Sequence, residues 1–315
     1  MTILVPLIEQ RADPYIHRHT DGYYYFTASV PAYDGIELRR ARTIAGLAGA
    51  DPRMVWRKPD TGPCSDLIWA PEIHFNQGAW YIYFAAAPSR EIRDELFQHR
   101  MYAISTEAKN PLEGDWLFEG QIDTGLDTFC LDATTFEHRG VLYYLWAQKE
   151  PGIRGNSNLY IARMKTPVSI IGKPSRLSIP EYDWETRGFR VNEGPAVVRH
   201  GSRLFITYSA SATDENYAMG LLWADEDSDL LNQKSWTKSE KPVLTSSPAY
   251  RIFGPGHNSF TVAEDGETDV LVYHARTYTE IEGDPLWDPN RHTFVKPLRW
   301  DEDGMPVFGD AALSE

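Results

Sequence analysis

One phrase recurs five times along the chain and limits what it can fold into: a glycine turn, then an alternating strand of aromatic and β-branched residues that ends in small ones. The copies are Asp21–Ser29 (DGYYYFTAS), Gly78–Ala85 (GAWYIYFA), Gly140–Ala147 (GVLYYLWA), Gly201–Ser209 (GSRLFITYS) and Gly266–Ala275 (GETDVLVYHA). Their glycines fall 56 to 65 residues apart, a spacing that suits one four-stranded propeller blade with long loops. A short strand precedes each turn, so each copy reads as a β-hairpin whose glycine supplies a positive φ. A β-sandwich would also carry glycine–aromatic hairpins, but not five in phase. The repeats consume all 315 residues, which predicts an all-β fold, a five-bladed β-propeller, with residues 1–315 as a single domain. Helix signals are sparse, and Ser89–Gln98 predicts one short helical excursion in a loop. The segment from Ile3 to Ile8 is expected to pair with C-terminal strands and close the ring.

Hydrophobic residues at 42% and aromatics at 13% are enough for a large core. A formal charge of -14 repels nucleic acid phosphates and anionic lipid alike, so neither is expected as a partner, while a neutral substrate is indifferent to that field. Met1 to Gln10 lacks the pattern of a signal peptide and no apolar stretch is long enough to span a bilayer, which predicts a cytoplasmic protein. Cys64 and Cys130 match no metal or redox spacing and read as buried thiols. The acidic run from Asp225 to Asp229 reads as solvated surface, and oligomeric state has no signature.

Aligned on their glycines, the copies each carry one polar residue six to nine positions upstream, on the strand that would line the axis: Asp13, Glu72, Asp132, Glu193 and His257. Alone, each would be a solvated or salt-bridged side chain. Together they gather four carboxylates and an imidazole around one channel, an arrangement whose mutual repulsion raises at least one carboxyl pKa and points to function. Glycoside hydrolysis needs a base for water, an acid for the leaving oxygen and a group that tunes them. Glu193, held before a rigid Gly-Pro turn, suits the acid; Asp13, stiffened by Pro14, suits the base; Asp132 suits the modulator. On the repeats alone, Glu72 fits any of these parts. His74, two residues on along an alternating strand, faces the same side as Glu72.

The segments Ala12-Asp13-Pro14, Trp69-Ala70-Pro71-Glu72, Leu131-Asp132-Ala133, Asn192-Glu193-Gly194-Pro195, Gly254-Pro255-Gly256-His257-Asn258-Ser259 and Tyr273-His274-Ala275-Arg276 stand in order and in phase with the repeats. In that order they resemble glycoside hydrolase family 43, five-bladed propellers that remove arabinose or xylose with inversion. The resemblance implies Asp13 as general base, Asp132 as pKa modulator and Glu193 as general acid. It further implies Trp69, Glu72, His257 and Arg276 as substrate-binding residues, with Trp69 stacking on the sugar and Arg276 reaching a hydroxyl or the base. His257 is also implied as ligand of a central hydrated cation, often calcium, that the chemistry itself does not require. Inversion asks for acid and base roughly 6.5–9.5 Å apart.

The C-terminal segments Asp284–His292 (DPLWDPNRH), Phe294–Trp300 (FVKPLRW) and Asp303–Pro306 (DGMP) look most like the arabinofuranosidases of that family, so the expected substrate is an arabinose-containing oligosaccharide cut by exo-removal of α-L-arabinofuranose. β-Xylosidase activity on xylo-oligosaccharides, endo-acting arabinanase activity and a propeller that only binds sugar are the alternatives. A module that only binds would have no need of three carboxylates on three separate inner strands.

Overall fold

The structure, a computed structural model, describes residues 4–309. Five small antiparallel sheets follow one another along the chain. Their innermost strands are Ala12–Arg18, Asp66–Asn76, Cys130–His138, Glu193–His200 and Phe253–Val262. Each packs on the next and the first packs on the fifth, which closes the ring of a five-bladed propeller. Four blades have four strands and the fifth has three, Phe253–Val262, Asp269–Arg276 and His292–Pro297. The glycine turns hold: Gly22, Gly78, Gly140, Gly201 and Gly266 all take positive φ between the first two strands of a blade.

The second strand of each blade is buried on both faces, which is why the recurring phrase is apolar and aromatic throughout rather than alternating with charge. Trp80, Trp146, Tyr144, Tyr208 and Tyr273 fill the space between blades. Closure of the ring comes from the N-terminal segment. Thr293 pairs with residues 7 and 8 through the backbone (Leu7 N–H to Thr293 O, 2.8 Å; Thr293 N–H to Ile8 O, 2.8 Å), so those two residues line the free edge of the three-stranded blade. The expected pairing of Ile3 lies outside the described residues.

The helical excursion expected over residues 89–98 is instead a small hairpin, Ile92–Arg93 against Leu96–Phe97. Asp94 and Glu95 both take left-handed φ, 51° and 67°, the geometry of a two-residue hairpin turn. Ile92 and Leu96 have helix-like spacing, but the turn puts them on opposite strands. Both cysteines are free and buried.

Candidate active site

Each innermost strand carries a two-residue bulge near its start, and the bulges decide what faces the axis. Register shifts place Asp13-Pro14, Ala70-Pro71, Asp132-Ala133, Gly194-Pro195 and His257-Asn258 opposite one residue each of the neighbouring strand. The first residue of every pair is left-handed, with φ of 55°, 45°, 56°, 54° and 42°. Asp13, Asp132 and His257 are therefore equivalents and meet at one level of the axis. Glu193 stands one residue before its bulge, level with Trp69 and Leu131, nearer the mouth. Glu72 stands after its bulge, level with Tyr15 and Thr134, below the floor. Gly194 is needed for space as well as for its φ, because a Cβ there would lie 3.0 Å from the His257 ring.

Above that floor lies a cavity of about 210 Å³ lined by Asp13, Trp69, Asp132, Glu193, His257 and Arg291, with an apolar rim that includes Phe97, Phe189 and Leu286. Asp13 is the best-held group. Its Oδ2 accepts from Ser29 Oγ (2.6 Å), its Oδ1 lies 3.2 Å from His257 Nδ1 and 3.5 Å from Arg291 Nη1, and its amide donates to His274 Nδ1 (3.0 Å). Burial alone would raise its pKa, but His257, Arg291 and His274 outweigh it and hold the carboxyl well below the usual range. Burial pushes both imidazoles down, His274 to about 3, so near neutral pH the lasting cation is Arg291.

Glu193 shows the opposite balance. Burial and the negative charge of Asp13 push it up to about 7, against the Tyr217 hydroxyl that donates to Oε1 (2.8 Å) and the pull of Arg291. Asp132 is raised well above its ordinary value by burial and then by Glu193 and Asp13, although its Oδ2 accepts the Gly194 amide (3.0 Å). One strongly ionised carboxylate thus faces a coupled pair that retains a proton, the division of labour that acid–base chemistry needs.

Trp69 lines the cavity wall and is fixed from behind by His99, stacked at 3.8 Å between ring centres. Glu72 does not line the cavity. Its carboxyl meets His74 Nε2 (2.8 Å), which in turn faces the Tyr15 hydroxyl through Nδ1 (3.3 Å), and burial pushes Glu72 up to about 8. Arg276 does not line it either. Its guanidinium is taken by Asp288 Oδ1, Thr213 O and Pro285 O, which tie down the loop before the last strand. The arginine that steadies Asp13 is Arg291, whose Nη2 also donates to Tyr33 Oη (3.0 Å).

The implied cation fits the donors poorly. Calcium takes six to eight oxygen ligands. Among the described residues no three His, Cys, Asp or Glu side chains are placed to hold a metal, and His257 turns Nδ1 toward Asp13 and Asp132. A cation here would have to be held by one imidazole and water, and no step below uses one.

Comparison with known proteins agrees with this geometry. Residues 3–306 match the model of Glycosyl hydrolases family 43. The chain is 53% identical over 309 residues to an extracellular exo-α-(1→5)-L-arabinofuranosidase of Streptomyces avermitilis, covering 98% of this chain and 63% of the relative. It is 51% identical to the enzyme of the same name from Streptomyces chartreusis, covering 89% of this chain and 84% of the relative. The chain therefore spans about three-fifths of the length of the first of these. The crystal structure of an α-L-arabinofuranosidase from Lactobacillus brevis superposes with a TM-score of 0.96 at 61% identity, covering 98% and 96% of the two chains. The expectation of a cytoplasmic protein does not stand, because both Streptomyces relatives are named as extracellular. Fold, axial carboxylates and sequence together place this chain in family 43 of the glycosyl hydrolases.

Proposed function

We propose that the protein is an inverting exo-α-L-arabinofuranosidase acting on arabino-oligosaccharides or arabinan side chains. The observation that carries this is the pairing, across one small cavity, of Asp13 held ionised and Glu193 raised to about 7, so that it keeps its proton in mildly acidic solution. A volume of about 210 Å³ lies below the roughly 300–1,000 Å³ of drug-sized ligand sites and suits a single sugar unit. The choice of arabinose rests on the names of the relatives at 51–61% identity. Likeness to a xylan β-1,4-xylosidase structure, at 17% identity, is a likeness of fold alone.

In this reading the terminal sugar enters the cavity along Trp69, with its glycosidic oxygen toward Glu193. Asp13 takes a proton from a water molecule, and the oxygen of that water bonds to the anomeric carbon as the carbon–oxygen bond to the leaving group breaks. Glu193 gives its proton to the departing oxygen, so no charged leaving group forms. Arg291 keeps Asp13 ionised between turnovers, burial and the charge of Asp13 keep the pKa of Glu193 up, and Asp132 fixes the Gly194 amide beside the acid. Asp13 then releases its proton to solvent and Glu193 takes one up, which resets the site for the next turnover.

The test is product analysis on arabinotriose and xylotriose at several pH values. Arabinose and arabinobiose are expected from the first and little from the second. Because Glu193 must be protonated and sits at about 7, kcat/KM for arabinotriose is expected to fall about tenfold per pH unit above pH 7. Asp13 is held well below the ordinary carboxylate range of about 4, so no acidic limb from the base should appear between about pH 5 and 7. Faster cleavage of xylotriose would overturn the choice of sugar.

A further inference from the structure

Behind the acid, away from the cavity, lies a buried charged hub that the mechanism above does not use. Glu185 is 0% exposed, yet its carboxylate accepts five different donors. Oε2 accepts the amides of Glu181 (2.8 Å) and Tyr182 (2.9 Å), and Oε1 accepts Asn192 Nδ2 (2.9 Å) and the Tyr208 hydroxyl (2.8 Å). Lys238 Nζ, the fifth, lies 2.8 Å from Oε1 and 3.0 Å from Oε2, and also donates to Ile179 O. A buried ion pair is weak evidence for stability, because desolvation offsets most of the attraction. Its position is more telling.

Two of those donors bracket Glu193. Asn192 is the residue before it, and Tyr208 is the residue that the Gly194-Pro195 bulge faces across the blade. Asn192 has no freedom left: its Oδ1 accepts from Ser178 Oγ (2.7 Å), its amide donates to Ser157 O (3.1 Å), and its carbonyl accepts from Ser157 Oγ (3.2 Å). Tyr208 reaches Glu185 past Gly220, where a Cβ would lie 2.2 Å from the ring. The backbone on both sides of the acid is thus anchored to one carboxylate and, through the two serines, to the blade that carries Asp132.

We infer that Glu185, acting through Asn192 and Tyr208, is a positioning residue that fixes where the Glu193 carboxyl stands relative to the glycosidic oxygen. The inference rests on the reading of Glu193 as general acid. It does not concern sugar binding, since neither Glu185 nor Asn192 lines the cavity. Proton donation is sensitive to sub-ångström placement and matters most when the leaving group is a poor one. A misplaced acid should therefore slow natural substrates more than activated ones, whereas a general loss of folded protein slows both alike.

The experiment measures kcat and KM for arabinotriose and for 4-nitrophenyl α-L-arabinofuranoside in wild type, Glu193→Gln, Asn192→Ala, Glu185→Ala and Glu185→Gln, with thermal unfolding of each. Asn192→Ala and Glu185→Ala are expected to lose roughly 10-fold or more extra kcat on arabinotriose than on the nitrophenyl substrate, with KM changed less than about threefold. Glu185→Gln keeps an acceptor for Asn192 and Tyr208 and should recover part of that loss. If Glu185→Ala does not fold, Asn192→Ala and Glu185→Gln decide the matter. Equal losses on both substrates, or no loss, in Asn192→Ala would overturn the inference. If Glu193→Gln itself shows no preference between the substrates, the assignment of the acid fails instead.

Discussion

Replacing Glu193 with glutamine is expected to lower kcat on arabinotriose by about 10²–10⁴-fold, the range for removal of a well-placed general acid or base. At about 1.36 kcal/mol per factor of ten, that is roughly 3–5 kcal/mol of lost transition-state stabilisation. Glutamine fills the same space and can still accept the Tyr217 hydroxyl, so the change removes the transferable proton and little else. Folding should be unharmed or improved at alkaline pH. A carboxyl raised from 4.5 to about 7 in the folded state favours unfolding progressively as pH rises through that interval, and the amide removes this penalty. Thermal melts at pH 8 should accordingly show Glu193→Gln at or above wild type, alongside its near-loss of turnover.

Asp13→Asn is expected to cost as much activity but with a different signature. The base is needed whatever leaves, so the loss should be about 10³-fold or more on arabinotriose and on the nitrophenyl substrate alike. Stability should move the opposite way from Glu193→Gln. Asp13 is depressed in the folded state, so its ionised form contributes stability above pH 4 that is lost on acidification. Asparagine also leaves the buried guanidinium of Arg291 without its anion, a defect of about 3–5 kcal/mol where a buried pair is fully broken, moderated here by Tyr33. Paired kinetics and melts on the two variants therefore separate acid from base without reference to any known enzyme.

The glycine phrase revealed the architecture because it marks, once per blade, the second strand, which is buried on both faces. The spacing from turn to axis was less informative, since it varies from six to nine residues. Aligned on glycines, Glu72 and Glu193 look equivalent to Asp13, but the bulges place one below the floor and the other nearer the mouth. A sequence signal for the bulge existed: proline follows the left-handed residue in Asp13-Pro14, Ala70-Pro71 and Gly194-Pro195. Aligning on those prolines would have set Glu72 apart. Choosing between Arg276 and Arg291 had no such signal. Both flank the last hairpin, and only the path of the loop between them, tied down by Asp288, decides which guanidinium reaches Asp13. The hub at Glu185 was equally hidden, because its five donors come from segments up to 53 residues away that meet only where two blades join.

Proton NMR of arabinotriose hydrolysis in its first minutes tests the central claim most directly. Direct attack by water under Asp13, with Glu193 donating on the opposite side, requires the arabinose released first to be the β-anomer, with arabinobiose as co-product. Initial appearance of the α-anomer would mean a covalent intermediate and would contradict the assignment of Asp13 as a base.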